Sequence, residues 1–367
     1  MKRQIDYARP MTRLLACLSL FFFLVPITYV RGPVPPANDS QYLSFEPIAF
    51  DPRNPSRTRV GRLSFLGGWK ITSDNGEFGG ISSMLALPDN RFLMLSDNGT
   101  LAGFTFDEHK HQAIRPFIAP LPDGPAKPNE FARKNWDSES LLHDPETGQF
   151  WVGYEHQHSI WRYGHSFARK QSSHSPPEMQ QWPENGGAEA MLRLPDGRFL
   201  VFSESAEYSK GGYQAFMFVT DPSEPASKAV PFGYQPPQGY NLTDAAMIDD
   251  KSALMLHRRF TPFEGVSAIL SIVQIGDFQP DKVATSIPIA ILKPPLKVDN
   301  MEALAVTREG DDMIVWMASD DNFSTLQESL FFKFRLLKGK QMQKRRDPER
   351  QNEKAGANPG FSSLEKK

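Results

Sequence analysis

The sequence predicts an all-β protein, a β-propeller of five to six four-stranded antiparallel blades around a central channel. A motif of two short apolar strands joined by a turn recurs every 50 to 58 residues, a period typical of propeller blades. The strands in this motif are apolar on both faces, as expected for inner strands packed between blades. The sequence shows no amphipathic helix of convincing length, which disfavours an α/β fold.

Five copies of the motif are present, at residues 78–99, 137–157, 186–205, 241–260 and 300–323. Equating the residues at the front of the copies gives spacings of 58, 50, 55 and 58 residues for Ile81, Glu139, Glu189, Asp244 and Glu302. Apolar runs between the copies supply the outer strands. Residues 59–73 precede the first copy, and we expect them to complete the last blade and close the ring.

The flanking segments differ in composition from this body. Basic residues followed by a 17-residue apolar run predict an export signal or membrane anchor at residues 1–31. A proline-rich linker is predicted at 32–41, the propeller domain at 42–337, and a basic, disordered tail at 338–367. The sequence leaves open whether the first segment is cleaved. The predicted location is therefore periplasmic or extracellular, with an inner-membrane tether as the alternative.

Charge and cysteine content exclude several classes of function. The formal net charge is -2, but the two termini hold 14 of the 41 Lys and Arg residues and only five of the 43 acids. The body between them therefore carries about 11 excess negative charges, which argues against a nucleic-acid partner and favours cations. The only cysteine is Cys17, so the body has no disulfide, thiolate metal site or cysteine nucleophile.

Acidic residues at the front of the copies predict a metal site. If they start the innermost strands, their side chains point into one channel, where several carboxylates need a compensating cation. Ca²⁺ suits them best because it accepts six to eight oxygen ligands in irregular geometry. With the acids at the tip of the last copy, the predicted metal ligands are Glu139, Glu189, Asp244, Glu302, Asp320 and Asp321. The alternative is that each acid binds backbone amides and holds the ring together.

Two arginines and two histidine pairs complete the candidate residues. Arg258 and Arg259 follow the fourth copy's second strand and are predicted to bind phosphate, although neighbouring strand residues face opposite ways and only one should reach the channel. The pairs His109/His111 and His156/His158 have the spacing for a transition metal but no third ligand. We therefore interpret them as solvated loop histidines.

The motifs FGGIS with SDNG, DSES, NGGAEAM with PDGRFLVFSE, LMLHRRF, and NMEALAV with ASDDNFS together resemble the phytase-like propeller family known as "esterase-like activity of phytase". This resemblance implies a β-propeller, usually exported in bacteria, with calcium-assisted hydrolysis of phosphoesters. One position departs from the family. His257 lies between Leu256 and Arg258, where family members commonly have glutamate.

These observations leave three functions open. The first is an exported phytase-like hydrolase acting on phosphoesters with a calcium-assisted water nucleophile, with Glu189 and Glu302 as catalytic residues. The others are a non-catalytic propeller that binds a ligand or protein, and a metal-dependent esterase or lactonase. The sequence lacks Gly-x-Ser-x-Gly, Gly-x-x-x-x-Gly-Lys and Gly-x-Gly-x-x-Gly, which disfavours a serine nucleophile elbow, a phosphate-binding loop and a dinucleotide site.

Overall fold

The computed structural model describes residues 39–124 and 136–338. Three strands come first: β1 (Ser44–Pro47), β2 (Arg59–Val60) and β3 (Leu63–Thr72). The predicted export segment, most of the linker and nearly all of the predicted basic tail lie outside the described residues. The domain bounds therefore stay a prediction.

The chain then forms four-stranded antiparallel blades. The first contains β4 (Ile81–Leu87), β5 (Arg91–Ser96), β6 (Thr100–Asp107) and β7 (Gln112–Pro120), and the second contains β8 (Ser138–Asp144), β9 (Gln149–Tyr154), β10 (Ser159–Tyr163) and β11 (Lys170–His174). The third contains β12 (Ala188–Arg193), β13 (Phe199–Glu207), β14 (Tyr213–Phe218) and β15 (Ala229–Gln235). Each blade is a meander of neighbouring strands.

The fourth blade contains β16 (Asn241–Asp249), β17 (Ser252–Thr261), β18 (Gly265–Gln274) and β20 (Ile287–Leu292), while β19 (Val283–Thr285) pairs in parallel with β15 of the third blade. The fifth contains β21 (Asn300–Glu309), β22 (Asp312–Asp320) and β23 (Leu330–Leu336), and its outer strand is β3. The pairing of β3 with β23 confirms that the segment before the first copy completes the last blade. Two 3-10 turns, Met179–Gln181 and Ile275–Asp277, lie outside the blades.

The first strands of the blades surround the central channel. In cyclic order, β4 contacts β8, β8 contacts β12, β12 contacts β16, β16 contacts β21, and β21 contacts β4. The prediction of an all-β propeller with antiparallel blades is thus confirmed. The range of five to six blades for the whole chain stays a prediction.

The hydrophobic core is divided among the interfaces between neighbouring blades. Each of five apolar clusters draws buried side chains from two adjacent blades. The cluster between the first and fifth blades is rich in aromatic rings, and Trp316 stacks on Phe331 with ring centroids 5.0 Å apart. Packing both faces of every blade in this way explains why the inner strands are apolar on both sides. The channel is left to the polar residues at the strand ends.

Candidate functional site

A one-residue β-bulge near the start of every inner strand directs a side chain at the channel end of the blade. The ladder between the first and second strands skips one residue in each blade, namely Ser82, Glu139, Glu189, Thr243 and Glu302. Bulges commonly re-aim a side chain near a functional site. Three glutamates therefore occupy equivalent positions in the second, third and fifth blades.

This register corrects the sequence comparison at two positions. In the first and fourth blades the residues equivalent to Glu139 are Ser82 and Thr243. Aligning the repeats in the sequence had instead equated Ile81 and Asp244 with Glu139. Asp244 lies one residue later, where the other blades have small buried residues such as Ser83 and Ala303. The fourth blade thus contributes a threonine to the ring of bulge residues.

A second ring of polar residues lies on the partner strands. In each blade, the ladder pair just before the bulge has one member on the second strand, and the residue that follows this member belongs to the second ring. These residues are Asp97, Glu155, Glu204, Arg258 and Asp320. Four positions are therefore acidic and one is basic. The two rings together hold seven carboxylates and a single guanidinium, so the channel has a strong excess of negative charge.

Three of these carboxylates meet closely. Ligand oxygens of Glu155, Glu189 and Glu204 lie within 4.8 Å of one another. Glu189 is 8% exposed, and no hydrogen-bond donor contacts its carboxylate within the described part of the chain. Burial, followed by the charges of Glu204 and Glu155, raises the pKa of Glu189 well above its usual range. Repulsion between buried carboxylates of this kind is relieved by a proton or by a cation.

Arg258 is the channel's basic side chain. Its Nε lies 2.9 Å from Glu302 Oε1, and its Nη2 lies 3.4 Å from Glu204 Oε1. The Nε–H is not in hydrogen-bonding geometry with this carboxylate, so the contact with Glu302 is an ion pair only. Burial raises the pKa of Glu302 to about 7, while the positive charge of Arg258 opposes the rise. Glu302 is therefore poised to exchange a proton near neutral pH.

The amide of Asn300 links two neighbouring acids of the fifth blade. Its Nδ2 donates to Glu302 Oε1 at 2.8 Å and to Asp320 Oδ2 at 3.3 Å. Burial, with the charge of Glu302 next, raises the pKa of Asp320 well above its usual value. Glu139 lies beside the glutamate cluster, and burial followed by the charge of Glu189 likewise raises its pKa. Both predicted ligands therefore face the same acidic channel.

The other two predicted metal ligands are engaged with backbone groups. Asp244 accepts hydrogen bonds from the backbone N–H groups of Ala245 and Leu304, both at 2.8 Å, and from Ser83 Oγ at 3.3 Å. Asp321 accepts bonds from Gly80 N and Phe323 N, both at 3.0 Å, and from Ser329 Oγ. Each aspartate therefore connects neighbouring blades, which corresponds to the structural alternative considered for these acids. Neither is part of the close glutamate cluster.

Arg259 lies apart from the channel acids. It pairs with Glu264 in its own hairpin, and its guanidinium stacks over Tyr240 at 4.8 Å. The structure places only Arg258 next to the predicted catalytic residues, as strand alternation leads one to expect. His158 is buried near Trp182, with ring centroids 6.2 Å apart, and is not part of the group of possible ligand atoms that contains His156.

The repeat predicts Glu155 as an acid at a strand tip but does not indicate Asp137, which the structure also brings to the site. Asp137, Glu155 and His156 form a second group whose ligand atoms lie within 4.8 Å. Asp137 is the first residue of the second copy, at a position occupied by glycine or asparagine in the other blades. An alignment of the copies in the bulge register would have revealed this acid.

Comparison with known proteins adds a family assignment. Residues 76–323, more than half of the chain, match the phytase-like family described as "esterase-like activity of phytase". The chain belongs to this family. Its acidic channel lies within the matched region, so the suspected family is confirmed along with the propeller fold. No curated protein sequence matches the chain.

Several solved structures are similar to this phytase-like protein. The Malassezia sympodialis allergen Mala s 1 has 13% identity and a TM-score of 0.41 over 76% of this chain and 91% of its own. The Cps50 (Swd1) β-propeller domain of Myceliophteria thermophila has 8% identity and a TM-score of 0.36 over 81% and 100%. Kuenenia stuttgartiensis hydrazine synthase has 9% identity and a TM-score of 0.35 over 66% and 56%. At these values the similarities carry no argument about function.

Proposed function

We propose that this phytase-like protein is an exported hydrolase that acts on small phosphoesters with the help of calcium. The observation that carries the proposal is the glutamate cluster beside Arg258, formed by the buried Glu155 and Glu189 and the partly buried Glu204. The atoms of this cluster that could bind a metal are all carboxylate oxygens, which are the ligands that Ca²⁺ prefers. The negative channel also argues against nucleic acid as a substrate.

The residues present fit a calcium ion. Glu189 has no donor among the described residues, and Glu155 receives only the Gly187 N–H, at 3.4 Å. These carboxylates, with Glu139 and Glu302 nearby, would hold the ion. When bound, calcium supplies positive charge that offsets both the carboxylates and a phosphate group, and it makes a nearby water more acidic.

The chain's own groups supply the remaining chemistry. The guanidinium of Arg258 offers several N–H donors in a plane, an arrangement suited to phosphate oxygens. Glu302, whose pKa is raised to about 7, can take a proton from water near neutral pH. Glu189, in the glutamate cluster, is within electrostatic range of both Arg258 and Glu302. Arg258 would exchange part of its contact with Glu302 and Glu204 for the substrate.

The first test is calcium-dependent release of phosphate from phytate and p-nitrophenyl phosphate by the full-length protein. We expect turnover with Ca²⁺ and its loss with a chelator. Glu189→Gln should lower kcat/KM about 100-fold, because it removes one ligand charge from the cluster. Glu264→Gln, at an exposed acid outside the channel, should leave turnover unchanged.

Two results would contradict the proposal. One is the absence of calcium-dependent phosphate release from every phosphoester tested. The other is hydrolysis of aryl esters or lactones alone, which would favour a metal-dependent esterase on this scaffold. Binding of a small molecule or protein without turnover of any substrate would favour the non-catalytic alternative.

Export is tested separately by fractionating cells that make the full chain. Within the described residues, no helix is long and apolar enough to span a membrane.

A second test compares the two neighbouring arginines. Arg258→Gln should raise KM for a phosphomonoester about 10-fold or more, because a charge-assisted hydrogen bond to the substrate is lost. Arg259→Gln is the matched control and should leave KM unchanged, since Arg259 contacts Glu264 and Tyr240 instead. Equal effects of the two substitutions would contradict the assignment of Arg258 as the phosphate-binding residue.

A further inference from the structure

His156 is held in one tautomer by the backbone of the third blade's entry loop. Its Nδ1 lies 2.8 Å from the carbonyl oxygen of Glu184. A carbonyl oxygen only accepts hydrogen bonds, so Nδ1 must carry the hydrogen and donate it. In the neutral ring, Nε2 is then left with a free lone pair. The side chain is 12% exposed, and this nitrogen faces the channel acids.

The atom opposite Nε2 is also an acceptor. Asp137 Oδ2 lies 3.0 Å from it. Two lone pairs at this distance repel each other unless a proton or a cation lies between or beside them. Metal-binding histidines usually donate the other ring N–H to a carboxylate, a backbone carbonyl or water, which fixes the ring and strengthens the ligand nitrogen, and the bond from His156 Nδ1 is of this kind.

A third ligand is buried beside this pair. Glu155 is 7% exposed, and its oxygens lie within 4.8 Å of ligand atoms of both Asp137 and His156. Among the described residues its carboxylate receives one donor, Gly187 N at 3.4 Å from Oε1. A single backbone donor therefore serves a buried carboxylate that lies against two further acceptor groups. Arg258 pairs with Glu204 and Glu302, so it does not neutralise this group.

We propose that Asp137, Glu155 and His156 form a second cation site, selective for a first-row transition ion such as Zn²⁺ or Mn²⁺ over Ca²⁺. Imidazole nitrogen is a good ligand for these ions, whereas Ca²⁺ takes oxygen ligands almost exclusively. Three protein ligands leave coordination positions for water or a substrate oxygen. The site goes beyond the proposed calcium-dependent hydrolysis and shares only Glu155 with the glutamate cluster.

The shared residue makes the two sites neighbours. Glu155 has two oxygens, and its partners in one group are Glu189 and Glu204, while those in the other are Asp137 and His156. A carboxylate between two cations can give one oxygen to each. Glu155→Gln is therefore expected to weaken binding at both sites, whereas changes at His156 and Glu204 should separate them.

The test uses Co²⁺ as a probe of the tag-free full-length protein after metal removal with a chelator. We expect visible absorption bands from one bound Co²⁺ per chain, which persist in excess Ca²⁺ and disappear when Zn²⁺ is added. His156→Gln should weaken Co²⁺ binding about 10-fold or more, because the nitrogen ligand is lost. His174→Gln, at the outer strand of the same blade, is the matched control and should bind as the unchanged protein does.

Asp137→Asn provides a second variant, and thermal unfolding of each protein checks that it is folded. Absence of Co²⁺ binding, or equal binding by folded His156→Gln protein, would overturn the proposal and assign a proton to the contact between His156 and Asp137. Glu204→Gln keeps this test distinct from the proposed hydrolysis. It should weaken Ca²⁺ binding while Co²⁺ binding persists, and loss of both in that variant would contradict separate sites.

Discussion

Replacing Asp244 by alanine is expected to destabilise the folded protein by about 4 kcal/mol, because two buried backbone N–H groups lose their acceptor at a cost of roughly 1 to 3 kcal/mol each. The carboxylate of Asp244 receives Ala245 N and Leu304 N at 2.8 Å and is 4% exposed. Leu304 lies on β21 of the next blade. The substitution therefore removes a connection between the inner strands of two blades.

Urea unfolding of the metal-free protein measures this effect. Asp250→Ala is the control, because Asp250 lies in the exposed turn after the same strand. Asp244→Asn should give a smaller loss, since its amide keeps one acceptor but turns an N–H toward a backbone donor. If Asp244→Asn instead leaves metal-free stability unchanged and abolishes stabilisation by Ca²⁺, Asp244 acts as the metal ligand that the sequence analysis predicts.

The repeat in the sequence was sufficient to predict the blades and their closure. Its period reflects the strands of one blade, and the segment containing β3 pairs with β23 as expected. The register within each copy was harder to predict. A bulge adds one residue to a strand without a specific sequence signal, so the acid of the fourth copy was equated with Glu139 although Thr243 holds that position.

The composition of the site could be predicted only in part. Glu189 and Glu302 follow from the repeat, because equivalent residues of inner strands face one channel. The arrangement around His156 depends on the carbonyl of Glu184, which lies 28 residues away in sequence and belongs to an irregular loop. No local pattern encodes such a contact. The sequence therefore predicts a solvated loop histidine at position 156, whereas in the structure the loop containing Glu184 packs against its ring.

Without calcium, the folded protein should lose stability as the pH rises from about 5 to 8. Burial raises the pKa of Glu155 to about 8 and that of Glu302 to about 7, from 4.5 in both cases. Between these values the folded state holds more protons than the unfolded state, so stability falls with rising pH. For Glu302 alone the shift corresponds to about 3 kcal/mol, present below pH 4.5 and lost as the pH passes 7.

Calcium should reverse this dependence, because it binds the ionised carboxylates that are unfavourable in its absence. We expect the Ca²⁺-induced rise in Tm to be larger at pH 8 than at pH 5, as measured by calorimetry in the presence of Ca²⁺ or a chelator. In Glu302→Gln the metal-free Tm should fall less steeply with pH, which separates this residue from all other titrating groups. A metal-free Tm whose pH dependence is identical in the two proteins would show that Glu302 is not held in its protonated form.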